Sequence, residues 1–499
     1  MSQLKTLASQ TVIYGASSII GRMLNYLLVP YYTKVFVTSE YGIVTEFYAY
    51  AVFFNVIYTY GLETAYFRFA SQHKKSENDI YNSAVTIILV SSTILSGLLF
   101  LFSEPIATYL EYPGRAYFIK WLAAIFALDA IVAIPFAKLR IEGKAKLFAT
   151  AKLVNIGLNI GLNLFLISFC RQVYLGEIAP FFKPLITKFY LPDYSIEYVF
   201  ISNLIANAAF ILILRKQLTI IRLKISWAFL KPMLKYAYPI LFTGLAYATN
   251  ETLSRWALKY WLPENFYPGY SNLEILGIFG AAYKLSIFMV LGIQAFRYAA
   301  EPFFFTKSES KDSPKLFALV MHWFIIFGCF VLLCIGTNLD YLQYLLRHED
   351  YRWGVSIVPI LLLANLFFGI YYNLSVWYKL TDRTYFGSWM TAGGAIITIT
   401  LNYILIPLYG FYGSAVVTLI VYFLMTFTSY MIGRKYYPIP YYVTRDSLYL
   451  LITMALIFII NEISIENQWL VLACRAIIIS LFVFIVWQLE KTKLPAKTS

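Results

Sequence analysis

The run from Thr384 to Gly433, TYFGSWMTAGGAIITITLNYILIPLYGFYGSAVVTLIVYFLMTFTSYMIG, holds fifty residues without one Asp, Glu, Lys or Arg. A helix that crosses a bilayer needs ~20 mostly apolar residues. The run is long enough for two, and Pro407 and Gly410 mark the turn between them. A soluble helix of such uniform hydrophobicity would have no solvated face. The run therefore decides the class: an all-α integral membrane protein.

Working outward, similar stretches recur at 80–103 and 353–378. Of the 499 residues 60% are hydrophobic and only 13% charged, too little polarity to coat a soluble domain. Strand-like alternation is absent, which argues against a membrane β-barrel. Apolar windows place about fourteen spans, near 7–33, 41–67, 80–103, 117–138, 147–169, 197–214, 235–258, 274–300, 316–338, 354–378, 384–406, 411–433, 447–463 and 468–489. The first is too long for a signal-peptide core and lacks a small-residue cleavage site, so it reads as a retained span. Four cysteines (Cys170, Cys329, Cys334, Cys474) and three histidines (His73, His322, His348) are scattered without ligand spacing, which predicts neither metal nor cofactor.

Basic residues orient the spans, because Lys and Arg gather in cytoplasmic loops. With the N-terminus inside, 26 of the 40 fall on the cytoplasmic side, 9 outside and 5 within spans, which predicts cytoplasmic termini. The net charge of +14 is then a topology signal and not a nucleic-acid footprint. Tyr and Trp collect at proposed span ends, as at Tyr31–Tyr32, Tyr260–Trp261 and Trp377–Tyr378, where amphipathic rings suit the headgroup level.

The most basic loop, Arg215–Lys235, divides the chain after span six, and Trp227, Phe229 and Leu230 suggest a short amphipathic helix within it. The expected organisation is a lobe of six spans over 1–216, a cytoplasmic linker over 217–234, a second six-span lobe over 235–433, and two accessory spans with a tail over 434–499. Tyr41-Gly-Ile43 and Leu276-Gly-Ile278, each after a span carrying an embedded arginine, hint at a parallel repeat.

An ionisable group inside a span costs at least ~2.5 kcal/mol on insertion scales and normally faces protein or water. Tyr14, Ser18 and Arg22, with Asn25 a turn on, draw one polar stripe on span one. Lys152, Asn155, Asn159 and Asn163 draw another on span five, beside Gly157 and Gly161, which would allow close helix packing. Asn55, Thr59 and Glu63 share a spacing on span two. Span seven carries Glu251 and Arg255 in line with Tyr247 and Lys259, span eight Lys284, and span four Asp129. Arg475 in span fourteen reads as a snorkelling residue. Each group alone is as readily a structural lock, such as Glu251 with Arg255 or Asp129 with Lys152. As a set, Arg22, Lys152, Arg255 and Lys284 outnumber Glu63, Asp129 and Glu251, and a positive cavity lined by Tyr and Asn suits a phosphate-bearing, hydroxyl-rich solute.

Ile134-Pro-Phe-Ala-Lys-Leu-Arg140, Lys144-Ala-Lys-Leu-Phe-Ala149 and Asn155-Ile-Gly-Leu-Asn-Ile-Gly-Leu-Asn163 resemble spans four and five of the bacterial O-antigen-type polysaccharide flippases. Tyr378-Lys-Leu-Thr-Asp-Arg383, Leu401-Asn402 and Ile406-Pro-Leu-Tyr-Gly-Phe-Tyr-Gly-Ser414 resemble the same family. That family sits in the multidrug/oligosaccharidyl-lipid/polysaccharide exporter superfamily. The resemblance implies two six-helix lobes, alternating access, and movement of undecaprenyl-diphosphate-linked oligosaccharide across the bacterial inner membrane for lipopolysaccharide or capsule. Relatives that flip the peptidoglycan precursor use cavity arginines on span one and the second lobe, and Arg22 and Arg255 are similarly placed.

The leading expectation is a monomeric lipid-linked oligosaccharide flippase and not an enzyme. Arg22, Lys152, Arg255 and Lys284 would hold the diphosphate, and Asn25, Asn155, Asn159 and Asn163 would meet sugar. Glu63, Asp129 and Glu251 would couple a proton or sodium or lock helices, and the prenyl tail would stay among membrane lipid. A cation-drug exporter of the same superfamily is the alternative. A membrane glycosyltransferase or polymerase is the third reading, disfavoured because no sizeable loop carries positioned carboxylates with a metal or an acid/base pair.

Overall fold

In the computed structural model, which describes residues 15–17, 19–307, 312–462 and 467–491, the decisive run lies in one 52-residue helix, Tyr385–Tyr436, broken at Gly410. Gly410 has φ 58° and ψ −137°, a conformation that only glycine adopts without strain, and the Tyr267 hydroxyl fills the space where a Cβ would stand. The two arms then run back along each other: Ser414 Oγ donates to Asn402 Oδ1 at 3.2 Å, and Gly413 rests on the Leu405 backbone.

Every described regular element is a helix. Eight are long and apolar enough to cross a membrane, and a ninth span follows if Asn272–Leu285 and Ile287–Arg297, bent by 45°, count as one. The chain is thus a multi-pass membrane protein. The Glu77–Leu101 helix shows why sequence windows locate such segments. It buries Ile80, Ala84, Ile88 and Ser92 on one side and exposes Val90, Ile94, Leu98 and Leu101 on the other, so it is apolar all round.

The chain forms two compact units, Met1–Lys259 with Tyr270–Gly277, and Tyr260–Gly269 with Ile278–Ser499. In the first, Thr38–Thr59 stops at Tyr60 and Gly61, both left-handed, and Leu62–Gln72 starts anew. Sequence windows ran one span through this point. Close approach and a positive φ both require glycine at that turn, since a Cβ on Gly61 would lie 2.8 Å from Ile240 on Trp227–Trp261. Gly157 and Gly161, by contrast, have open space around them, so they mediate no close packing among the described residues.

Beyond Arg215–Thr219 the basic segment is pinned to the start of Glu77–Leu101. Asn82 Oδ1 accepts from the Arg222 amide and Ser83 Oγ from the Ser226 amide, both at 2.9 Å. Tyr81 donates to the Gln217 carbonyl at 2.9 Å. Trp227, Phe229 and Leu230 then form the opening turn of the 35-residue helix Trp227–Trp261.

In the second unit, Val358–Leu374 packs along the Tyr385–Tyr436 hairpin, with Trp377 Nε1 donating to Ser429 Oγ at 3.2 Å. The closing helices Val443–Glu462 and Gln468–Glu490 lie on Ser313–Gly336. Arg475 does not snorkel: it is buried and donates to Asp340 at 2.6 Å.

Candidate functional site

Three of the four basic candidates, Arg22, Lys152 and Arg255, belong to the first unit, and Lys284 to the second. Tyr14 and Ser18 of the span-one stripe lie outside the described residues, but Arg22 and Asn25 are both exposed. Directly before Arg22, Gly21 packs on Ile156 of Ala145–Asn163, setting the stripe beside the asparagine helix. An exposed arginine this far into an apolar segment requires an aqueous or headgroup-lined surface, because hydrocarbon does not solvate a guanidinium.

The asparagine helix is largely engaged. Asn163 is fully buried, accepts from the Tyr32 hydroxyl at 2.8 Å and donates to the Asn159 carbonyl at 2.7 Å. Asn155 donates to Asn207 Oδ1 at 2.9 Å, and Asn207 donates to Asp129 Oδ1 at 3.0 Å. Lys152 packs its ammonium on the Phe136 and Phe210 rings, at 4.5 and 5.2 Å, with Asp129 and then Glu63 as electrostatic neighbours of opposite charge. Asn203 donates to the Tyr48 hydroxyl at 2.9 Å, extending the network. The result is a hydrogen-bonded chain of Asn155, Asn207 and Asp129 with one lysine beside it, built from three helices, and Tyr48 of a fourth helix is an electrostatic neighbour of Asp129.

Arg255 is half-buried with Tyr41 as an electrostatic neighbour, and Tyr41 in turn neighbours Tyr26 and Tyr32. Glu251 is half-buried one turn earlier. Glu63 lies past the Tyr60–Gly61 break, so the Asn55–Thr59–Glu63 line is not one helix face, and its carboxylate pairs with Arg140. Lys284 is exposed just before the bend at Ser286, whose hydroxyl accepts from Asn365 at 3.2 Å.

Sequence reasoning missed the most deeply buried pair of the first unit. Glu46 is fully buried, meets Lys259 Nζ at 3.2 Å, and accepts from the Tyr50 and Tyr112 hydroxyls at 2.8 and 2.6 Å. Lys259 also donates to the Leu110 carbonyl at 2.6 Å. Glu46 lay within a predicted span and was the available signal. Because its partner Lys259 is buried with it, the pair is neutral and leaves the balance of the other embedded charges unchanged. Among the described residues no group of three His, Cys, Asp or Glu could hold a metal.

This architecture is that of solved membrane transporters. An inward-facing multidrug resistance MATE transporter of the MOP superfamily aligns over 88% of this chain and 95% of its own, with TM-score 0.65 and 12% identity. A mutant of the Vibrio cholerae MATE transporter VcmN covers 87% and 98%, with TM-score 0.55 and 12% identity. A Pyrococcus furiosus MOP superfamily transporter, described as having a binding pocket of reverse polarity, covers 89% and 96%, with TM-score 0.56 and 13% identity.

At the sequence level residues 34–175 match the family described as polysaccharide biosynthesis protein, and no curated protein matches the chain. That match over 34–175 and this fold agree with the resemblance read in the sequence.

Proposed function

We propose that the chain is a flippase carrying undecaprenyl-diphosphate-linked oligosaccharide across the bacterial inner membrane by alternating access, with both termini cytoplasmic. The observation that carries the reading is the polysaccharide biosynthesis match over 34–175 on a chain with the fold of MOP transporters. Within the first unit, Arg22 and Arg255 hold the diphosphate, and Asn25 meets sugar. Lys152, Asn155, Asn159 and Asn163 serve mainly as the scaffold of the same wall, given the bonds they already make. The substrate enters from membrane lipid and is released chemically unchanged, as transport requires.

The test is genetic and chemical together. Deleting the protein causes a specific undecaprenyl-linked oligosaccharide to accumulate, read by mass spectrometry. An R22A/R255A variant at normal protein level abolishes glycan export. Normal export in that variant would sink the site, and an unchanged lipid-linked pool in the deletion would sink the function.

A coupled drug exporter is the second reading, favoured by the multidrug resistance transporters that share this fold and by Asp129, which could bind a proton or sodium beside Asn155 and Asn207. A drug-susceptibility panel on the deletion strain separates the two.

A further inference from the structure

One buried ionisable cluster of the second unit has no part in the proposed transport site. His322, on Ser313–Gly336, is fully buried, and both of its ring nitrogens face carboxylates: Nδ1 stands 2.5 Å from Asp446 Oδ1 and Nε2 3.2 Å from Glu490 Oε2. Asp446 opens Val443–Glu462 and Glu490 closes Gln468–Glu490, and both are themselves buried. Three helices thus converge on one imidazole.

A neutral imidazole carries one N–H and one lone pair, so with carboxylate oxygens at both nitrogens it would aim the lone pair at a negative charge. The imidazolium donates at both. Charge balance leads to the same state. Arg445 meets Glu490 Oε1 at 3.5 Å, so the surroundings hold one fixed cation against two carboxylates, and one further proton, which the imidazole between them is placed to hold, brings the sum to zero. Uncompensated charge in such a dry site is expensive.

The other groups facing the cluster are Tyr449, whose hydroxyl donates to Glu490 at 2.9 Å, the Tyr442 ring, 5.1 Å from the imidazole, and Cys329, an electrostatic neighbour of Asp446. The helices on the far side meet Ser313–Gly336 through apolar groups, as in Phe296 on Phe324 and Leu366 on Gly328. Away from the cluster, the closing helices are fixed by Arg475 to Asp340 and by Asn461 Nδ2 donating to the Gly336 carbonyl at 3.1 Å.

We propose that His322, Asp446 and Glu490 form a proton-binding site, and that the bound proton latches the two closing helices onto Ser313–Gly336. Loss of that proton sets a lone pair against a carboxylate and frees one end of the pair while the Asp340–Arg475 end holds.

The experiment uses the full chain in lipid nanodiscs with 15N-labelled histidine at pH 7.5. His322, assigned by its absence in H322Q, is expected to show two protonated nitrogens. In E490Q, where an imidazolium would leave a surplus positive charge, the neutral pattern is expected at His322. Hydrogen exchange over 443–462 and 468–490, corrected for its intrinsic pH dependence, should rise about tenfold between pH 6.5 and 9, the equivalent of one pH unit of proton linkage. A neutral His322 in the wild-type chain, or an exchange rise of equal size in E490Q, would overturn the proposal. The nitrogen spectrum of the wild-type chain stands even if H322Q fails to fold, because the remaining two histidines can be assigned by H73Q and H348Q.

Discussion

Gly42 and Gly277 meet at exchanged positions: a Cβ on Gly42 would strike the Leu273 carbonyl, and a Cβ on Gly277 would strike the Thr38 carbonyl. Thr38 and Leu273 each precede the glycine of their own segment by four residues. Such reciprocity is what a two-fold relation between the Tyr41-Gly-Ile43 and Leu276-Gly-Ile278 segments would produce, and it supports the repeat suggested by sequence. Backbone cannot yield as a flexible side chain does, so G42A and G277A are each expected to cost about 1–3 kcal/mol or more. Thermal unfolding in detergent should register both, whereas G157A and G161A, with nothing nearby, should be neutral or gain up to ~1 kcal/mol from helix propensity.

Gly410 tests the hairpin itself. A side chain there is strained twice, by a φ of 58° with ψ −137° and by the Tyr267 ring. G410A should therefore lower the unfolding temperature more than P407A, which removes a proline from within the same helix. Adding Y267A should recover only the steric share, leaving the backbone strain. Full recovery in the double variant would show that crowding alone demands glycine.

How far this structure could be read beforehand depended on the range of the forces involved. The Gly410 turn was legible because a Pro and a Gly interrupt an otherwise uniform apolar run, a purely local signal. The Tyr60–Gly61 break was not, because a lone glycine with no proline beside it is tolerated inside a helix, and the Ile240 contact that requires glycine there is remote in sequence. Asp129 and Lys152 could be paired by inspection as opposite charges on adjoining spans. Glu46 and Lys259 could not, being 213 residues apart, and Lys259 stood at a span end where a basic residue needs no partner. Asn203 and Asn207 show the four-residue spacing already noted for Asn155, Asn159 and Asn163, and that repetition was the unused clue to the network.

Glu142, in the loop after Tyr117–Ile141, offers an acid-side test outside the spans. Burial opposes its ionisation, but hydrogen bonds and charge from Lys144 at 2.7 Å and Lys138 at 3.4 Å prevail and hold its carboxyl below the usual range. A carboxyl lowered on folding stabilises the protein above its unfolded pKa of about 4.3, and that contribution fades as pH falls through the lower folded value. Unfolding temperatures of wild type and E142Q should thus differ at pH 6 and converge toward pH 3. A constant gap across that range would mean the lysines do not act through the ionised carboxyl.

The Glu46–Lys259 pair should be costly to break and cheap to remove. Both side chains are almost wholly out of solvent, and Glu46 also accepts from Tyr50 and Tyr112. Changing Lys259 to Met leaves a carboxylate buried against two hydroxyls, and changing Glu46 to Leu takes from a buried ammonium its buried carboxylate partner, leaving the Leu110 carbonyl, the Tyr112 ring and the more exposed Glu111 at 3.5 Å among its contacts. Each single variant is expected to lose about 3–5 kcal/mol, the range for stranding one member of a buried pair. The double variant E46L/K259M should recover most of that loss, because two desolvation penalties vanish with the attraction. If thermal unfolding instead shows the two single losses adding, the side chains contribute independently and Lys259 is held chiefly by the Leu110 carbonyl. A coupling of at least ~1.5 kcal/mol in the cycle would identify the pair as one electrostatic unit fixing the Thr38–Thr59 helix to the end of Trp227–Trp261.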